Sequence, residues 1–158
     1  MRFSSLIICS LFIVLSGCGG SNSRPKDLPA LTPVNLTITQ DGQPLAEATI
    51  RFVSVDGGKW NPVAFTDAAG HVEMKTYSFI GVPAGKYKVL IEKEVKEDVV
   101  EEKNAVTGVM EEKSYTLYRV VDEKYADAKT TPHEIEVSGK GKKVEQTFDV
   151  GKAIKKRL

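Results

Sequence analysis

Few side chains in this sequence are of the kinds that make or break covalent bonds. There are two cysteines, Cys9 and Cys18, and two histidines, His71 and His133. A hydroxyl or thiol nucleophile needs a base within hydrogen-bond reach and a third group to orient that base. Neither cysteine nor any serine has a recognisable partner of that kind in the chain. A zinc or iron centre needs three or four nitrogen, sulfur or carboxylate ligands at set spacings. His71 sits in an alternating run beside a turn, and a lone strand histidine is usually a surface residue. With no evident proton-transfer pair, acid–base chemistry has no starting point. The expectation is no catalytic residue, no metal ligand and no cofactor.

The one cysteine with a clear chemical setting is Cys18. Arg2 precedes an apolar stretch from Leu6 to Leu15 broken only by Cys9 and Ser10, and Leu15-Ser16-Gly17-Cys18 follows. That layout is an export signal. The apolar run is about half the roughly 20 residues a helix needs to cross a bilayer, so a permanent span is not expected. Leu-Ser-Gly-Cys resembles the lipobox of bacterial lipoproteins. The resemblance implies diacylglycerol on the Cys18 thiol, cleavage that removes residues 1–17, and acylation of the new α-amine. Several acyl chains exceed the two signals that stable anchoring takes. Gly19 stands where enterobacterial lipoproteins kept at the inner membrane carry Asp, so the implied place is the outer membrane of the bacterial cell envelope.

No thiol would then remain for a disulfide, and the exported domain must be stable through its core alone. Lys and Arg number 22 against 21 Asp and Glu, a formal net charge of +1 that includes Arg2. A balance this close to neutral argues against nucleic acid as a partner.

Residues 18–33 are small, polar and punctuated by Pro25, Pro29 and Pro33. They read as a tether, which at about 3.5 Å per residue spans some 50 Å at full stretch. From Val34 to Val150 the chain shows β signals separated by turn residues. The runs are residues 34–39, 48–55, 63–66, 71–76, 85–92, 134–137 and 144–150. Ile50, Phe52 or Val53, and Val55 are the expected core contacts of the second run. Asp67-Ala68-Ala69-Gly70 reads as a hairpin turn in which Gly70 takes a positive φ. Seven short strands suggest an all-β fold, a seven-stranded antiparallel β-sandwich.

Three stretches carry a family resemblance: Gly42-Gln43-Pro44-Leu45-Ala46-Glu47-Ala48, Thr66-Asp67-Ala68-Ala69-Gly70, and Pro83-Ala84-Gly85-Lys86-Tyr87. In order and spacing they resemble the carboxypeptidase regulatory-like and transthyretin-like (prealbumin-like, Ig-like) domains. Val121 to Thr131 is similar to a Pro-x-Lys-Tyr-x-Asp stretch of small lipoproteins of this type, many from planctomycetes and their relatives, with Asp122 or Glu123 in place of the proline. The resemblance implies a non-enzymatic scaffold or binding module. Related sandwiches that are enzymes set the alternatives, a transthyretin-like hydrolase or a metal-dependent enzyme. The hydrolases end in Tyr-Arg-Gly-Ser, whereas this chain ends Lys155-Lys156-Arg157-Leu158 and has its Tyr118-Arg119 internally. Intradiol dioxygenases hold iron with two Tyr and two His, which would require both histidines. A third reading is an accessory subunit of an envelope complex.

Residues 93–128 form an insertion between the fifth and sixth runs. A helical stripe of Val95, Val99, Val106 and Met110 is weakened by Asn104 and Gly108, and a solvated insertion or a partner-binding arm is expected. Residues 151–158 are a basic tail, expected to be frayed. If successive strands alternate direction, the loops 56–62, 77–83 and 138–143 share one end with the tether. That end would display Trp60, Tyr77 and Phe79 near Lys140, Lys142 and Lys143, an arrangement suited to gripping an envelope protein or glycan.

Overall fold

Alternation with period two lets one face of a strand enter a core while the other meets water. The computed structural model describes residues 24–139 and 141–158, and the expected export signal, Cys18 and Lys140 lie outside them. In chain order the strands are β1 (Leu31–Thr32), β2 (Val34–Gln40), β3 (Gln43–Pro44), β4 (Thr49–Ser54), β5 (Val63–Phe65), β6 (His71–Glu73), β7 (Lys75–Thr76) and β8 (Phe79–Ile80). They continue as β9 (Val82–Pro83), β10 (Gly85–Glu92), β11 (Glu94–Lys103), β12 (Met110–Arg119), β13 (Glu134–Val137), β14 (Val144–Asp149) and β15 (Lys156–Arg157). A single 3₁₀ turn, Glu123–Tyr125, is the helical element among the described residues. The fold is all-β, and each of the seven expected runs is extended. The strand count is higher because short pairings and a long hairpin are added.

One sheet has the order β13–β10–β4–β5 and is antiparallel throughout. The other is built on β2, which takes β14 on one side and β3 and β6 on the other. β14 runs parallel to β2, with Val144 beside Val34 and Phe148 beside Ile38. This corrects the wholly antiparallel expectation. Alternation decides which face of a strand is buried but not its direction, and a parallel pair needs only a long crossover.

Leu36 and Ile38 of β2, Phe148 of β14 and Val72 of β6 meet Ile50 and Phe52 of β4, Val89 and Ile91 of β10, and Val137 of β13 in one buried cluster. Two sheets thus share one dry interior. Inward parity on β4 falls on Ile50 and Phe52, so Val55 is 54% exposed and is not a core contact. β5 and β6 belong to different sheets, and the Asp67–Gly70 turn is a corner between sheets rather than a hairpin. The Asp67 carboxylate accepts the N–H groups of Ala69 and His71, each at 2.9 Å. Gly70 has φ +71° there, and its carbonyl accepts from the Ile38 N–H at 2.8 Å.

The insertion is a β-hairpin, not a helix. β11 and β12 pair from Glu94↔Arg119 to Lys103↔Met110. Asn104 turns the chain, its Oδ1 accepting from the Val106 and Thr107 N–H groups at 2.9 and 3.1 Å. Asn104 and Gly108 interrupt a helix but suit a turn, while the β-branched and aromatic residues on either side suit strands. The tail is not frayed. β15 pairs with Tyr118 and Arg119 on the free edge of β12. Lys155 pairs with Glu97 at 2.5 Å and lies 4.5 Å from the centre of the Tyr118 ring.

Residues 24–33, ten of the sixteen in the expected tether, also fold onto the domain. Leu31 and Thr32 pair with Pro83 and Val82, and Leu28 is buried. The Arg24 guanidinium donates to the Leu28 carbonyl at 3.4 Å and to that of Pro29. From Cys18 to Arg24 the chain reaches at most roughly 20 Å, not the 50 Å of a free tether.

A candidate binding surface at the tether end

β2, β5, β10 and β14 begin, and β4 and β13 finish, at the end where residues 24–33 dock. The hairpin springs from the opposite end, where Glu92 lies beside Thr49 and the Gln40 side chain donates to the Val120 carbonyl at 2.9 Å. Trp60 lies in the loop between β4 and β5. Tyr77 lies in the tight turn between β7 and β8, where Lys75↔Ile80 and Thr76↔Phe79 leave only Tyr77 and Ser78 to connect them. Two-residue turns of this type demand positive φ at the first central position. Tyr77 has φ +55°, and its ring is thrown clear of the domain, 72% exposed.

The Trp60 and Tyr77 rings meet edge to face, centroids 5.6 Å apart at 89°. The Lys59 ammonium lies 4.7 Å from the Trp60 ring centre and pairs with Asp27 of the docked segment. Lys59, Trp60, Asn61, Thr76 and Tyr77 line a shallow cleft of about 180 Å³. Phe79 is half-buried, with the Arg24 guanidinium 5.9 Å from its ring centre. The three aromatics expected at this end are all there, two in mutual contact and the third covered by Arg24. Of the expected lysines, Lys140 lies outside the described residues and the other two do not join them. Lys142 and Lys143 are exposed, Lys143 pairs with Glu145 at 2.6 Å, and neither lines the cleft. Their loop does reach this end, because Gly139 abuts Ala84. Arg24, Lys59 and Asn61 were missed. Lys59 and Asn61 flank Trp60 in sequence and could have been found, whereas Arg24 depends on the docking of the tether.

Neither histidine belongs to this surface. His71 Nδ1 lies 3.0 Å from the Thr37 hydroxyl on the open outer face of the β2 sheet. There Asn35 Oδ1 is buried without a hydrogen-bond partner. Among the described residues no three His, Cys, Asp or Glu side chains are grouped to hold a metal. His133 plugs the far end between the sheets. It stacks on Tyr125 with centroids 5.1 Å apart and packs against Phe148 at 4.7 Å. Its Nε2–H donates to the Asp149 carbonyl at 3.1 Å.

Burial holds the His133 imidazole below its ordinary value of 6.5, against the pull of the Asp149 carbonyl. The unfolded chain therefore binds a proton more readily than the folded one. Stability at this site is complete above about pH 6.5 and is lost as pH falls from there through the lower folded value. Denaturant unfolding between pH 7.5 and the onset of carboxylate titration should show that slope, and His133→Gln should flatten it. An unchanged slope in the variant would remove His133 as its source.

No protein-family model matches the chain, and no curated protein sequence matches it significantly. Among solved structures, the crystal structure of a 9R-lipoxygenase from Cyanothece PCC8801 is similar over 81% of this chain and 18% of its own, at 12% identity and a TM-score of 0.33. The chain thus spans less than a fifth of that protein, and a likeness at this TM-score carries no argument about fold or activity.

Proposed function

We propose that this chain is a non-catalytic lipoprotein of the bacterial cell envelope. It is held by lipid on Cys18 and carries a transthyretin-like sandwich of the carboxypeptidase regulatory-like kind in a binding or structural role. The observation that carries the binding role is the Trp60–Tyr77 pair, two rings at right angles, Tyr77 exposed and Trp60 half-buried under Lys59, with Asn61 beside them. Aromatic side chains of this sort bring large contact area at low entropic cost.

Replacing Trp60 and Tyr77 together by Ala should weaken capture of the ligand about 30-fold or more, the scale of a hot-spot pair. The melting temperature should stay within a degree or two, because neither ring belongs to the buried cluster. Equal capture by wild type and the double variant in envelope-protein, glycan and lipid-vesicle pull-downs alike would remove this surface from the proposal.

A second reading, an accessory subunit of an envelope complex, is favoured by the hairpin. Its turn presents Val106, 95% exposed, beside Val109 and Met110. Substituting all three by Ser should release a co-purifying partner if that reading holds, and leave capture by the aromatic end intact.

A further inference from the structure

The docked segment decides what the aromatic end faces. Residues 24–33 are pinned to the domain through β1, the buried Leu28, the Asp27–Lys59 ion pair and Arg24 over Phe79. They are therefore no longer available as tether. Only residues 19–23 separate Cys18 from Arg24, and a chain of that length reaches at most about 20 Å. The headgroup layer alone takes up several ångströms of that, since a bilayer of about 30 Å hydrocarbon measures about 40–45 Å with its polar regions. With lipid on Cys18, the Trp60–Tyr77 end is held against the membrane, and the far end with its hairpin points away from it.

The composition of that end matches the place. Tyr77, Ile80 and Val55 are 72%, 53% and 54% exposed there, and Trp60 is half-buried. Arg24, Lys26 and Lys59 stand at this end against Asp56 and Asp27, the latter paired with Lys59, and Lys142 and Lys143 lie on the neighbouring loop. Three further acidic groups stand near this end, Glu73, Glu136 and Glu145, the last two paired with Lys86 and Lys143. Trp and Tyr settle at the membrane–water boundary, where an apolar body and a polar tip are both satisfied. Lys and Arg beside an anionic surface each add about 1 kcal/mol.

From these observations, and resting on the lipid-anchor reading above, we infer that the partner of the aromatic end is the headgroup layer of an anionic bilayer. Trp60 and Tyr77 sit in its interface, and Lys26 and Lys59 lie against its phosphates. The anchor and this surface hold the domain at two points, which fixes its orientation instead of leaving it to swing.

Trp60 is the chain's one tryptophan and reports on this directly. The lipidated full-length protein would be reconstituted into phosphatidylethanolamine vesicles containing phosphatidylglycerol. Trp60 emission should then shift to the blue, be quenched by a lipid spin-labelled near its headgroup, and be protected from acrylamide. Lys26→Glu with Lys59→Glu should weaken the headgroup quenching about fivefold per charge, and high salt should do the same to wild type. Trp60 as open to acrylamide on vesicles as in detergent would overturn the inference while leaving the anchor standing. Protection that appears only on adding soluble peptidoglycan fragments or envelope extract would overturn it too, in favour of a glycan or protein. A Cys18→Ala chain that stays with membranes and takes up labelled palmitate as wild type does would instead defeat the anchor reading beneath it.

Discussion

Gly70→Ala is expected to destabilise the domain by about 2–5 kcal/mol, a large part of the 5–15 kcal/mol that holds a domain folded. Two effects add. The residue sits at φ +71°, a conformation that costs an L side chain about 1–2 kcal/mol. A Cβ built there would lie 2.5 Å from the Ile38 carbonyl oxygen and 3.1 Å from the Leu45 nitrogen, both backbone atoms. The corner cannot open to make room, because Gly70 and Ile38 are hydrogen-bonded to each other and Leu45 donates to Ile38 at 2.9 Å. Crowding of that kind adds about 1–3 kcal/mol. Gly42 provides the control, with the same φ of +71° and nothing within 4 Å of its added Cβ. Gly42→Ala should cost only the backbone share, about 1–2 kcal/mol. Equal losses for the two variants in denaturant unfolding would mean that the contact with Ile38 contributes nothing.

Cys18→Ala is expected to abolish incorporation of labelled palmitate and to move the protein from the membrane fraction to the soluble one. Each buried methylene contributes about 0.8 kcal/mol, so losing even one acyl chain costs several orders of magnitude in membrane partitioning. The aromatic end alone is too weak to compensate, since a handful of interfacial side chains supplies only a few kcal/mol. The variant should therefore bind vesicles reversibly and salt-sensitively where wild type does not leave them. A variant recovered with membranes to the same extent as wild type would end the lipoprotein assignment.

What could be read from residue order divides along a physical line. The strands were legible because burial on one face writes itself locally, as in Leu36-Thr37-Ile38 or Tyr87-Lys88-Val89, and so was a turn at Asp67–Gly70, whose residues must satisfy their own backbone, but not that it joins two sheets instead of two paired strands. Strand direction was not legible. Whether β14 lies parallel or antiparallel to β2 changes no residue's inward or outward parity, and only the pairing of Val144 with Val34 reveals it. The hairpin inside the expected solvated insertion was not legible because Val95, Val99, Val106 and Met110 also satisfy a helical stripe, and charged residues fill its solvent-facing positions in either geometry. The tether was misjudged because Pro and Ser describe a chain without saying whether Leu28 and Leu31 find a surface; β9 supplies one. At the candidate site the aromatics were found by the direction of successive loops. Lys140, Lys142 and Lys143 were placed by the same reasoning, which locates a loop at an end of the fold but not the side chains within it.

The parallel pairing of β14 with β2 also sets a timetable. Thr39 and Asp149 are joined by a 2.8 Å hydrogen bond across 110 residues of chain. If the chain is threaded across a membrane from its amino terminus, β2 emerges among the first segments and waits for its neighbour until almost everything else has followed. Pairings between such distant segments form slowly. In that event one side of the central strand would stand open for the interval to any passing extended chain, and the newly threaded polypeptide, more than the finished domain, would be the form that needs an escort.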